Sequence, residues 1–130
     1  NKINLNLIDS PDIAQTIAVT CFGLGIDCQL TGLHTLKIKE TDRLFALKTE
    51  MTKLGADISI SDNSLYLRKT NKKFNQNCLV ESYNDHRMAM AFAPLSIKVP
   101  IQINDFKVVD KSYPNFWIDL ERIGFQYNVN

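Results

Sequence analysis

No stretch of this sequence approaches the roughly 20 apolar residues that a membrane-spanning helix needs, and its first residues lack the pattern of a signal peptide. Cysteines fall in no CxxC spacing and the two histidines lie far apart, so a metal site has no ligand pattern to rest on. Neither a GxGxxG nor a Walker loop is present, which leaves nucleotide binding without support. Net charge is also nearly missing. At +1 it gives no general attraction to nucleic acid or to a membrane surface, and neither is expected as a partner. Any charge that matters here must be local.

What is present is ordinary globular material. Hydrophobic residues make up 45% and charged residues 22% of 130 positions, enough for one domain or part of one with a real core. The first residue is Asn1 rather than methionine, which suggests an excised fragment. Cys21, Cys28 and Cys78 sit among apolar residues and are expected as buried, reduced thiols of a cytoplasmic protein.

The chain reads as an internal repeat, about residues 5–70 and 78–130. Ser10-Pro11-Asp12 opens a helix running to Gly25, with Ile13, Ala14, Ile17, Ala18, Cys21 and Phe22 on its apolar face. The segment from Tyr83 to Leu95 repeats that plan, with Asp85 in the place of Asp12 and Met88, Ala89 and Phe92 inward. Each helix leads into a stretch that reads as a strand (26–38 and 99–109), then a lysine, a second helix ended by Gly55 or Gly124, and a closing strand. Between the copies, 58–60 and 65–68 read as a hairpin about Asp62-Asn63, followed by a solvated Asn/Lys loop at 69–77. Helix pairs on one sheet face give a layered α/β fold of α+β type.

Two lysines stand out, Lys39 and Lys111, each just ahead of an amphipathic helix, where backbone N–H groups and the helix dipole favour anions. Lys39, Glu40 and Arg43 form the tightest constellation. A helical turn there brings both cations to one face, either to bind an anionic substrate while the carboxylate moves a proton, or simply to cap the helix with Glu40 and Asp42 paired to Arg43. Spacing alone leaves both readings open. Asp85 alone is a plausible cap and His86 alone a structural residue, whereas Arg87, at the head of an apolar helix, has a planar fork suited to phosphate or carboxylate. Asp12 is ambiguous, because an acid in a first helical turn is a common stabiliser.

At these positions the chain resembles the C-terminal part of the 5-enolpyruvylshikimate-3-phosphate synthase family. The stretches SPDIAQTIA, LKIKETDRLFALKTEMTKLGADI, YNDHRMAMAFAPL and VVDKSYPNFWIDLERIGF carry the likeness, in the family's order over nearly the whole chain. The resemblance implies one domain of an inverted α/β barrel-like pair, each domain built from three βαβαββ units. Residues 1–130 would then form the C-terminal part of one such domain, with about two of its three units.

It further implies transfer of the enolpyruvyl group of phosphoenolpyruvate to the 5-hydroxyl of shikimate 3-phosphate, in aromatic amino acid biosynthesis, with release of phosphate and without organic cofactor or required metal. On matching positions, Asp12 takes the place of the acid near that hydroxyl and Lys39 that of the lysine contacting it. Glu40 matches the acid that protonates the enol methylene. Arg43, Arg87 and Lys111 match the cations that hold phosphoenolpyruvate and the inhibitor glyphosate, and His86 an active-site histidine of less settled role. Other family elements, including the serines that grip the shikimate phosphate, belong to the N-terminal part of the polypeptide. The chain alone is therefore expected to be catalytically incomplete. Two rivals stand beside this reading: an independent anion-binding module, and an enolpyruvyl transferase acting on a UDP-sugar, which would not be expected to carry both KETDR and NDHRMAM.

Overall fold

Alternation of apolar and polar residues builds a four-stranded mixed sheet in the first half of the chain. The computed structural model describes residues 1–130 and orders its elements as β1 (Lys2–Asn6), α1 (Ala14–Leu24), β2 (Asp27–Thr31), α2 (Arg43–Lys53), β3 (Asp57–Ile60), β4 (Leu65–Arg68), β5 (Leu79–Val80), α3 (His86–Phe92), β6 (Gln102–Ile103) and α4 (Phe116–Arg122). The sheet order is β1-β2-β4-β3, with β1 and β2 parallel and β4 antiparallel to both of its neighbours. Register puts Cys28 opposite Leu67, Leu30 opposite Leu65 and Ile58 opposite Leu67, so these buried side chains share one face. The expected hairpin is present as β3 and β4, joined through Ser61–Ser64.

That face packs against α1 and α2. The buried stripe of α2 is Leu44, Leu47 and Met51, at the i, i+3, i+7 spacing that lines one side of a helix, with Ala46 buried beside it. Asp42 caps α2 by accepting a hydrogen bond from the Phe45 amide at 3.1 Å. Helix α3 sends Met88, Ala91 and Phe92 into the same 24-residue core, while Ala89, Ala93, Val109 and Phe116 form a separate cluster of four beneath α4. No helix is long and apolar enough to cross a membrane.

Local structure departs from the sequence expectations in five places. The stretch after α1 is a strand only over Asp27–Thr31 and then winds into a 3-10 turn over His34–Ile38. Gly32 makes the break, at φ 74°, where a Cβ would lie 2.5 Å from Asn6 Oδ1 and 2.6 Å from the Ile8 nitrogen. After α3 the strand shrinks to two residues, because Asp105 turns left-handed at φ 53° and a 3-10 turn follows at Phe106–Val109. Ile13, in the 3-10 turn ahead of α1, is exposed and Ile17 on α1 is half-buried; the buried face is rotated toward Gln15 and Val19. The loop at 69–77 is not wholly solvated: Phe74 meets Phe22 edge-on at 4.9 Å, and Asn75 bonds to the backbone of Lys53 and Leu54.

The fifth departure is the last. Residues 125–130 form no strand, although their pattern matches β3. Strand β3 exists by pairing with β4, whereas residues 125–130 lie against no strand that pairs with them. A strand with no neighbour leaves its ladder groups unpaired and does not form.

Cys21 and Cys28 are buried, Cys78 is half-buried, and all three are free thiols. Burial and the adjacent Cys21 thiol push Cys28 up to about 12.

Candidate active site

Three segments distant in sequence meet at the ends of α1, α2 and α3. Each end is set by local chemistry. Pro11 starts a 3-10 turn that carries Asp12 at the head of α1. The Asp42 cap fixes the start of α2 and leaves Arg43 as its first residue. Asp85 caps α3 by accepting from the Arg87 amide at 2.9 Å, which makes His86 and Arg87 the first residues of that helix.

Arg43 is the hub. Its side chain is only 2% exposed and engages three carboxylates. Nε donates to Asp85 at 2.8 Å and an Nη to the other Asp85 oxygen at 3.3 Å, a bidentate pair on a fully buried acid. The remaining terminal contacts go to Asp12 at 3.1 Å and to Glu40. Lys39 reaches the same Asp12 oxygen at 3.4 Å, and Arg87 donates to the Asp12 backbone carbonyl at 3.0 Å. Asp12, Lys39, Glu40, Arg43 and Arg87 thus form one connected cluster.

The route by which Lys39 arrives differs from the expected helical turn. Lys39 is extended, with φ −91° and ψ −151°, at the end of the 3-10 turn and outside α2. It meets Arg43 through their shared partner Asp12 instead. His86 is half-buried and forms no hydrogen bond within the cluster. Lys111 is exposed, lies five positions ahead of α4 rather than at its first turn, and makes no ion pair. The structure brings five of the seven singled-out residues into direct contact and leaves His86 and Lys111 outside that network.

Counting groups, Lys39, Arg43 and Arg87 set three positive charges against three negative ones on Asp12, Glu40 and Asp85. The cluster is balanced as it stands. All three Arg43 side-chain nitrogens are engaged by carboxylates, whereas the Lys39 and Arg87 side chains each make a single contact within the cluster.

Two polar features escaped the sequence reading. Asp85 is the buried partner of Arg43 as well as a cap, a pairing across 42 positions that no local pattern reveals. Glu50 is fully buried on α2 and accepts from Lys53 Nζ at 2.8 Å, the Glu81 amide at 2.9 Å and the Tyr83 hydroxyl at 2.6 Å. Burial first, then the bond to Glu50, pushes the Tyr83 phenol up to about 12. The one available signal was a glutamate on the apolar face of α2, seven positions after Arg43.

The chain and its fold resemble known proteins. The sequence profile of EPSP synthase (3-phosphoshikimate 1-carboxyvinyltransferase) matches residues 1–120. A 3-phosphoshikimate 1-carboxyvinyltransferase of Bacteroides fragilis is 47% identical over 130 residues, covering 98% of this chain and 32% of its own length. The corresponding protein of Clostridium novyi is 38% identical over 124 residues, 94% of this chain and 28% of its own. A solved EPSP synthase of Acinetobacter baumannii superposes with a TM-score of 0.71 at 25% identity, over 89% of this chain and 27% of that one. The chain therefore spans about a third of the length of the curated relatives it matches. With the profile running across all but the last ten positions, this chain belongs to the EPSP synthase family.

Proposed function

We propose that this chain is the C-terminal part of a cytoplasmic 3-phosphoshikimate 1-carboxyvinyltransferase, one whole βαβαββ unit and an incomplete second, and that it supplies about half of an active site. The observation that carries this reading is the convergence of Asp12, Lys39, Glu40, Arg43 and Arg87 from three separate segments on one spot. The reaction adds the 5-hydroxyl of shikimate 3-phosphate to C2 of phosphoenolpyruvate while a proton goes to C3. Loss of phosphate from the resulting tetrahedral centre, with loss of a methyl proton, then leaves the enol ether.

In this reading Asp12, with Lys39 3.4 Å away, takes the hydroxyl proton. Glu40 delivers the proton to C3, so it must be protonated when the cleft closes over the substrates. Arg87 and Lys39 are less committed than Arg43, which already serves three carboxylates; phosphoenolpyruvate would replace Glu40 or Asp12 on its outer nitrogens. Lys111 would complete the cationic set only after the N-terminal part of the polypeptide faces the site, with His86 lining it. The charge balance of the isolated cluster supports the expectation that this chain alone turns nothing over.

The test is phosphate release. The complete enzyme carrying this segment should release phosphate only when both phosphoenolpyruvate and shikimate 3-phosphate are present. Release from neither combination, or from phosphoenolpyruvate alone, overturns the assignment. A pH–rate profile unchanged by Glu40→Gln would remove Glu40 as the proton donor.

A further inference from the structure

Helix α2 grips the segment leading to Arg87 at two points. Arg43 holds Asp85, and Glu50, two helical turns or about 10.5 Å further along the same face, holds the Glu81 amide and the Tyr83 hydroxyl. Lys53 adds a contact from the same helix to the Leu79 carbonyl at 3.3 Å. Between these anchors the backbone is strained. Tyr83 and Asn84 take φ of 56° and 54°, two consecutive left-handed residues with no glycine. Asparagine enters this region readily, but a tyrosine there is an outlier that persists only where its surroundings hold it. The strained pair sits immediately ahead of Asp85, His86 and Arg87.

We infer that Glu50 and Tyr83 are positioning residues for the phosphoenolpyruvate site: their hydrogen bond holds the left-handed turn that seats Asp85, and Asp85 in turn orients both Arg43 and the first turn carrying Arg87. This inference rests on the functional reading above. Glu50 reaches no substrate itself. A buried carboxylate satisfied by three donors is a weak source of stability, so its consequence falls on geometry, where small displacements of a charged clamp are costly.

The complete enzyme carrying Tyr83→Phe tests this, because the substitution keeps the ring and removes only the donor to Glu50. The expected result is a KM for phosphoenolpyruvate raised about tenfold, with KM for shikimate 3-phosphate within about twofold, measured on folded enzyme at a temperature well below its melting point. Glu50→Gln should shift the same constant in the same direction, and Tyr83→Phe remains decisive if that protein does not fold. An unchanged KM for phosphoenolpyruvate in Tyr83→Phe, whatever its melting temperature, overturns the positioning role. A wild-type enzyme with no turnover is a separate failure, since it overturns the functional reading before either variant is compared.

Discussion

The elements from β1 to β4 close a four-stranded sheet of their own, whereas those from β5 to α4 form a separate two-stranded pair. Both halves start with a parallel strand pair bridged by a helix, β1 with β2 around α1 and β5 with β6 around α3. In the first half a hairpin then adds β4 and β3, giving four strands of four or five residues. In the second half the sheet remains two strands of two residues each. Such a pair is too small to stand alone. It holds because Val80, Met88 and Phe92 reach into the core built by the first half, leaving α4 on a cluster of four buried residues. The difference teaches that the second half is folded largely on credit from the first. It also explains why the site sits where it does, since Arg43 belongs to the first half and Asp85 to the second.

That joint is where the comparison can be broken most forcefully. Arg43→Met leaves the Asp85 carboxylate buried with the Arg87 amide as its remaining donor, and should lower stability by about 3–5 kcal/mol in urea unfolding. Lys111→Met, a change of the same kind on an exposed unpaired cation, should leave the urea midpoint where it was. Equal effects from the two would mean that the halves are not joined through this ion pair.

A smaller effect separates the two cores. Leu30→Ala opens a hole in the main core and should cost about 2–5 kcal/mol, lowering amide protection throughout the chain. Leu120→Ala touches only the cluster beneath α4 and should speed exchange of residues 116–122 while β2, β4 and α2 keep their protection. If Leu120→Ala lowers protection in β2 as much as Leu30→Ala does, the two halves unfold as one unit.

How far the sequence speaks follows the same division. Helices α1 to α4 were legible from their apolar spacing, and α2 and α3 also from caps that lie within one turn of chain, at Asp42 and Asp85; Ser10, the cap residue expected ahead of α1, makes no such bond. The hairpin was legible from its alternation and its Asp-Asn turn. The closing strand at 125–130 was misread, since its pattern is right but strand formation depends on a partner elsewhere. Within the site, the residue types at Asp12, Lys39, Glu40, Arg43 and Arg87 stood out locally, while their gathering in one place was implied by the family resemblance and not by spacing. Lys39 and Arg43 come together through Asp12 rather than through a shared helical turn, and the Arg43–Asp85 and Glu50–Tyr83 bonds span 42 and 33 positions. Pairings of that range are products of the tertiary fold. Glu50 announces itself only by its place on the apolar face of α2, and its three donors come from the tertiary fold.

The gentlest contrast lies between two tyrosines. Tyr83, at the joint, is pushed up to about 12 by burial and then by Glu50; Tyr113, near α4, is raised mainly by its hydrogen bond to Asp119 at 2.6 Å. In both the folded state holds the phenolic proton more tightly than the unfolded chain does. The stability linked to Tyr83 is therefore complete below about pH 10, the unfolded value, and is lost as pH rises toward its folded value. Urea midpoints should accordingly begin to fall above about pH 9, where the unfolded chain releases the Cys28 proton that the folded state holds to about 12, and fall more steeply above about pH 10 as Tyr83 joins. Tyr83→Phe should lessen that alkaline fall while leaving the part due to the buried Cys28 thiol, and Tyr113→Phe should lessen it by less, because an exposed phenol is screened by water. An alkaline slope left intact by Tyr83→Phe would show that neither burial nor Glu50 holds the Tyr83 proton in the folded state.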